Sequence, residues 1–173
     1  MNVEHRTVIV VGGGPAGLPV ASVLGGWHPY YRPNSMFELR HPSLAKYLSS
    51  IKESLLELDF VDLVKRGIAP VDLFRTLHHP RSLFQGIEQI GMEFRREPSI
   101  DVLLLTREEV GGLWNNAPRN LLTLSPGQWM EFAFYPLAQY AQESSLNIDV
   151  NALIKKTDLI SYYHRIPDRF EVS

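Results

Sequence analysis

Six residues near the start of the chain, Gly12-Gly13-Gly14-Pro15-Ala16-Gly17, have the types and the spacing to hold a phosphate. They follow Thr7-Val8-Ile9-Val10-Val11, a β-branched run bounded by glycine that reads as a fully buried strand. A short apolar helix is expected after them, over Leu18 to Leu24. A G-x-G-x-x-G run between a strand and a helix is the dinucleotide-binding arrangement, and the chemistry calls for each glycine. Gly12 permits the tight turn, Gly14 lets bare main chain approach a pyrophosphate, and Gly17 allows close helix–strand packing. First-turn amides and the helix dipole then face the negative charge. The competing reading is an ordinary glycine-rich turn in an α/β protein.

Pro15-Ala16 inside the motif resembles the reading common in flavoproteins, a resemblance that leans toward FAD rather than NAD. The second half of such a fingerprint is an acidic residue about 20 positions on, at the end of a strand, where it holds the ribose. Glu38 lies 21 residues past Gly17, which suits the count. Its context does not suit: residues 25–34 contain Pro29 and Pro33 and no apolar run, so no strand is expected there. Glu38 therefore reads as a loop or first-turn residue.

The elements that must position the motif come next. From Ser43, a plausible N-cap, Leu44, Tyr47, Leu48, Ile51, Leu55 and Leu58 recur at helical spacing. Phe60 to Lys65 continues the pattern and stops at Gly67. Pro70 opens another helix, with Val71, Phe74 and Leu77 on one face, ending before Pro80. His78-His79 closes it. Adjacent helical positions face different ways, and no carboxylate is spaced to complete a metal set, so the pair reads as helix-terminal polar residues. Residues 81–98 read as a mobile loop. Ile100 to Leu105 gives a second buried strand, the partner of the first in the nucleotide fold. The expectation is an incomplete Rossmann-like α/β fold, a single domain over 1–173, with a helical insertion at about 43–80 between the first helix and the second strand.

The stretch Thr106-Arg107-Glu108-Glu109-Val110-Gly111-Gly112-Leu113-Trp114 resembles the region after the second strand in class B flavin-containing monooxygenases, where two glycines and a tryptophan approach the flavin. The whole pattern more closely resembles the oxidative stress-induced growth inhibitor family, which looks like a branch of those flavoproteins. The shared marks, in order, are the glycine-rich opening, Gly26-Trp27-His28-Pro29-Tyr30, His41-Pro42, the Gly-Gly-x-Trp turn, Ser125-Pro126-Gly127-Gln128-Trp129-Met130, and Tyr162-Tyr163. The resemblance implies FAD as cofactor, with Gly12, Gly13, Gly14, Pro15, Ala16, Gly17, Thr106, Gly111, Gly112, Trp114, Gln128 and Trp129 around it. No catalytic side chain is implied, because the cofactor carries the chemistry. Read on its own, Trp114 is as well explained as a core residue closing a strand–loop junction. Gln128-Trp129-Met130 with Phe132, Phe134 and Tyr135 reads first as core packing.

Two positions depart from the flavoprotein pattern. Leu105 stands where the resemblance implies a glutamate for the ribose, and Leu124 where it implies an active-site asparagine. A second glycine-rich turn for NADPH is also missing, Gly127 being the last glycine. The chain thus reads as the N-terminal part of a longer relative, with NADPH bound only in a longer form. These departures leave a non-catalytic regulator of growth and stress as the alternative. An NAD-binding module without flavin is weaker, because it leaves Gly111, Gly112 and Trp114 without a task.

Leu137 to Glu143 reads as a short helix turning at Ser144-Ser145. Asp158 to Ile166 reads as a final helix with Thr157 as N-cap, Leu159, Ile160, Tyr163 and Ile166 buried, ended by Pro167 and followed by a strand from Arg169. The 173 residues are 45% apolar and 21% charged, which fits a globular chain rather than disorder. Absence of cysteine removes disulfide frameworks, thiolate metal sites and thiol nucleophiles. Lys+Arg of 17 against Asp+Glu of 19 gives a net charge of −2, so no basic excess points to nucleic acid. No run approaches a membrane span or a signal peptide. A cytoplasmic protein with a small-molecule substrate, and with protein partners in growth control, is the resulting expectation.

Overall fold

The computed structural model describes residues 5–80 and 83–172. In chain order its elements are β1 (Val8–Val11), α1 (Gly17–Leu24), β2 (Trp27–Tyr31), α2 (Ser35–Arg40), α3 (Pro42–Ser49), α4 (Phe60–Lys65), α5 (Pro70–His78), β3 (Met92–Arg96), β4 (Val102–Leu105), β5 (Leu122–Pro126), α6 (Leu137–Glu143), β6 (Leu153–Lys155) and α7 (Lys156–Phe170). The fold is mixed α/β, with three two-stranded sheets among the described residues. β1 and β4 pair in parallel, Val8 opposite Val102 through Val11 opposite Leu105, which makes β4 the partner of β1. β2 and β3 pair antiparallel, as do β5 and β6.

Two apolar cores divide the chain. One gathers Leu18, Phe132, Tyr135, Leu137, Leu159, Tyr162, Tyr163 and Ile166 beneath α1, α6 and α7. The other gathers Phe37, Leu48, Leu55, Leu63, Leu73 and Leu77 beneath α2 to α5. Each fully buried leucine stabilises by roughly 1.5–3 kcal/mol, so the inserted helices carry a hydrophobic centre of their own. α4, α5 and α6 lie where the apolar spacing predicts, and α1 follows the motif as expected. Glu38 falls in the first turn of α2, capped by the Asn34 side chain, and not at a strand end.

Several expectations are corrected. β1 is not fully buried: Ile9 is 52% and Val11 82% exposed, because a two-stranded sheet here covers only the Val8/Val10 side. Residues 25–34 do hold a strand, β2, despite Pro29. A two-stranded pair leaves each strand one unpaired edge, where the missing proline donor costs little. The supposed loop 81–98 supplies the partner β3, in which Met92 and Phe94 turn toward the cores and Glu93 and Arg95 outward; Arg81 and Ser82 lie outside the described residues. The insertion is therefore bracketed by a β2–β3 clasp wider than the helices alone.

Helix boundaries shift for local reasons. Ser43 is not the N-cap of α3; His41 is, with Pro42 at the first helical position, where its fixed φ and missing N–H are harmless. The helix does not run on to Leu58. The Ser54 hydroxyl donates to the Pro29 carbonyl (3.1 Å) and accepts from the Leu56 N–H (3.2 Å), capping a 3-10 turn over Leu55–Glu57. On α5 the buried positions are Leu73 and Leu77, while Val71 faces solvent. α7 begins at Lys156 with Lys155, not Thr157, at its N-cap, and buries Tyr162 and Phe170 besides Leu159, Tyr163 and Ile166. Pro167 does not end it, and no strand starts at Arg169. Phe170 packs edge-on against Trp27 and Phe134, and its carbonyl accepts from the Trp27 indole at 3.0 Å; these contacts hold the last turn helical until Glu171 adopts φ 52°.

Candidate functional site

Two hollows of nearly equal size flank the first core. The first, about 510 Å3, is floored by Gly12, Gly13 and Gly14 and walled by Thr106, Arg107, Glu108, Glu109, Gly112, Leu113 and Asn116. It lies at the β1–α1 junction. Gly12 has φ +110°, and nothing lies within 4 Å of where its Cβ would stand. A Cβ on Gly17 would sit 1.8 Å from the Gly12 carbonyl oxygen, so only glycine lets α1 pack this close to β1. The Gly12 N–H donates to Leu105 O (2.7 Å) and the Gly111 N–H to Gly13 O (2.6 Å). Gly14 approaches the Gly112 main chain, 3.6 Å from a notional Cβ to Gly112 Cα. The second glycine pair thus braces the first glycine turn.

Of the twelve expected cofactor-binding residues, Gly12, Gly13, Gly14, Thr106 and Gly112 line this hollow. Pro15, Ala16 and Gly17 complete the turn behind it, with Ala16 as the N-cap of α1. Gly111 is buried against Ile160, and Trp114 packs on the first core rather than over the hollow. Gln128 and Trp129 are elsewhere. Gln128 is buried, its Nε2 donating to Asn151 Oδ1 at 3.0 Å, and Trp129 stands half-exposed beside a different cavity. Sequence reasoning missed Glu108, Glu109 and Asn116 as wall residues, although the two glutamates sit inside the quoted Thr106–Trp114 motif. Glu108 accepts from Asn116 Nδ2 at 2.9 Å and meets Arg107 at 3.3 Å. Leu105 and Leu124 turn outward, 46% and 97% exposed.

The second hollow, about 520 Å3, lies between the end of α5 and the loop after β5. Apolar walls come from Phe74, Met92, Phe94 and Trp129, and polar groups from His78, His79 and Glu131. His79 is the residue after α5, with φ −122° and ψ 77°, so its ring swings back onto that of His78, centroids 3.9 Å apart. Trp129 covers His79 at 4.7 Å. Burial, and then the neighbouring His78, push the His79 imidazole down to about 4. His78 Nε2 lies 3.0 Å from Glu131 Oε1, and the other carboxylate oxygen accepts from the Leu137 N–H at 2.7 Å. No carboxylate is spaced in the sequence to join the histidine pair, but tertiary folding brings Glu131 to it from 53 residues away.

The loop that delivers Glu131 is pinned on both sides. Tyr163 donates to the Met130 carbonyl at 3.0 Å, and the Phe132 N–H donates to the Tyr162 hydroxyl at 2.9 Å. Tyr162 in turn donates to the Tyr135 carbonyl at 2.6 Å. Burial holds both phenols above the ordinary tyrosine range.

Among the described residues no helix is long and apolar enough to cross a membrane. No family model matches the chain, and no solved structure does. The chain is 29% identical over 169 residues to Oxidative stress-induced growth inhibitor 1 of Homo sapiens, covering 92% of this chain and 35% of that protein. It is 31% identical over 132 residues to Oxidative stress-induced growth inhibitor 2 of Homo sapiens, covering 72% and 26%. A Caenorhabditis elegans oxidative stress induced growth inhibitor homolog matches at 25% over 167 residues, covering 92% and 36%. The chain spans about a third of the length of the curated relatives it matches.

Proposed function

We propose that this chain is the FAD-binding portion of a flavin-dependent, monooxygenase-like oxidoreductase of the oxidative stress-induced growth inhibitor family, acting in the cytoplasm. The observation that carries the reading is the hollow of about 510 Å3 floored by bare main chain at the β1–α1 turn. Its volume falls within the roughly 300–1,000 Å3 of cofactor pockets. The fit is physical: nothing lies within 4 Å of where a Gly12 side chain would begin, and Gly13 and Gly14 line the same hollow without side chains. The main chain at Gly13 and Gly14 would hold the pyrophosphate with the first amides of α1, while Gly12 keeps its N–H on Leu105 O and leaves room for the phosphate to approach. The Leu105 side chain offers no acceptor, so Glu108, Glu109 or Thr106 on the facing wall would take the ribose hydroxyls. When bound, FAD supplies electron transfer from NADPH to oxygen, with NADPH held by parts that the longer relatives have room for. The chain's own residues bind, orient and shelter the cofactor, and a small-molecule substrate completes the reaction.

A second reading has its own support. Leu105 and Leu124, exposed where flavoproteins place polar groups, favour a regulator that keeps the nucleotide fold and acts through protein partners. Titrating FAD against the folded chain tests the first reading. Saturable quenching of flavin fluorescence, weakened about tenfold or more in Gly14→Val, supports it; a folded chain that leaves flavin fluorescence unchanged overturns it. Oxygen-dependent NADPH oxidation by the longest form, above a Gly14→Val control, rejects the regulator-only view.

A further inference from the structure

The second hollow contains a donor set that the flavin reading leaves unused. His78 and His79 from the end of α5, and Glu131 from the loop after β5, bring one ligand atom each to within 4.8 Å of one another. We propose that these three residues bind a divalent transition-metal ion, zinc first, and leave one coordination position open to the hollow.

Two imidazoles and one carboxylate match the three-ligand zinc sites that keep a fourth position for water or another small ligand. The same nitrogen-rich set is poor for magnesium and calcium, which prefer all-oxygen shells. Metal–ligand bonds of about 2.0–2.2 Å place ligands a little over 3 Å apart in a tetrahedral shell. His78 Nε2 and Glu131 Oε1 already stand 3.0 Å apart, so the contraction needed falls mainly on the His79 ring, a rotation about its side-chain torsions.

Burial points the same way. The Glu131 side chain is 0% exposed and that of His78 13%. A carboxylate sealed from water needs compensating positive charge or several donors, and a divalent cation between it and the imidazoles provides that. The surroundings are also those of a supported site. The Leu137 N–H fixes the second carboxylate oxygen at 2.7 Å, the outer-shell contact that orients a ligating carboxylate. Tyr162 and Tyr163 hold the main chain on either side of Glu131, and Trp129 lies against the His79 ring. The hollow beside the three side chains is walled by Phe74, Met92 and Phe94, which leaves room for a water or another small ligand at a fourth position. Because α5 belongs to the second core and the Glu131 loop to the first, a bound ion also clips the two cores together.

The test uses the full 173-residue chain, stripped with chelator and titrated with Zn2+ against a competing metallochromic dye, then with Co2+ as a visible-absorbing surrogate. The expected result is one ion per chain, micromolar or tighter, with a Co2+ spectrum of low coordination number. His78→Ala, His79→Ala and Glu131→Gln should each weaken it by at least about tenfold, while His5→Ala and His164→Ala on the surface leave it unchanged. Glu131→Gln keeps an acceptor for the Leu137 N–H, so circular dichroism should show it folded. Zn2+ should also raise the melting temperature of the parent and not of His79→Ala. No binding by the folded parent, or binding that survives all three substitutions, overturns the proposal.

Discussion

The two hollows are almost the same size and are made in opposite ways. The first is main chain: its floor is Gly12 to Gly14, and its shape depends on side chains being absent. The second is side chain: two imidazoles, an indole and a sealed carboxylate converge from elements far apart in sequence. A site built by omission is written locally, since each glycine answers to a neighbour a few residues away or to one facing turn. A site built by convergence exists only after the chain has folded. Perturbations should therefore separate the two, one through sterics near the β1–α1 turn, the other through the hydrogen bonds that hold a distant loop.

The largest separation is expected within the glycine turn itself. Gly17→Ala drives a methyl into the Gly12 carbonyl at 1.8 Å and must move helix or strand; a loss of about 3 kcal/mol or more in denaturant unfolding is expected. Gly14→Ala meets only ordinary contact at 3.6 Å and should cost under about 1 kcal/mol. Equal stabilities for the two variants would break the close-packed account of the turn.

Next comes the loop behind the second hollow. Tyr162→Phe removes the hydroxyl that joins the Phe132 N–H to the Tyr135 carbonyl, leaving two buried groups without that partner. A cost of about 2 kcal/mol is expected, together with loosening around Glu131, while the glycine turn keeps its hydrogen-exchange protection. Protection lost equally at both hollows would show them to be one cooperative unit.

Alkaline titration sharpens the same contrast. Tyr162 and Tyr163 are held above the ordinary tyrosine range by burial, so above pH ~10 the unfolded chain releases protons that the folded chain keeps. Stability is then unaffected below that pH and falls above it by about 1.4 kcal/mol per pH unit for each such tyrosine. Tyr163→Phe should make the fall shallower by one such increment in pH-dependent urea melts; an unchanged slope would mean Tyr163 titrates alike in both states. The smallest effect belongs to the outer face of β1. Val11→Thr, at an 82% exposed position, should shift stability by no more than about 0.5 kcal/mol, and a larger loss would mean that face is covered.

How far the molecule is readable from its residues follows the same division. The glycine turn, α1, β4 as partner of β1, and the helices opened by Pro70 and Leu137 are legible because period, caps and glycines act over a few residues. β2 is illegible for a local reason, since Pro29 inside Trp27-His28-Pro29-Tyr30-Tyr31 argues against a strand until a partner is known. β3 carries a faint signal in the Met92/Phe94 alternation, drowned by the glycines and charges around it. The course of α7 past Pro167 is settled by Phe170 packing on Trp27, a contact spanning most of the chain. Glu131 beside His78 has no local trace at all, and neither does the departure of Gln128 and Trp129 from the glycine-floored hollow.

The clasp of β2 and β3 has a consequence for how such a chain can change. Because Tyr31 lies opposite Met92, and the Arg32 N–H donates to Gly91 O at 2.9 Å, the polypeptide departs and re-enters through one doorway. A replacement for the segment beyond that doorway would leave the route from β1 to β4 no longer, provided it also replaced the contacts of Phe84 with Asn151 and of His78 with Glu131. Such an exchange would spare the glycine turn and remove His78 and His79 from beside Glu131.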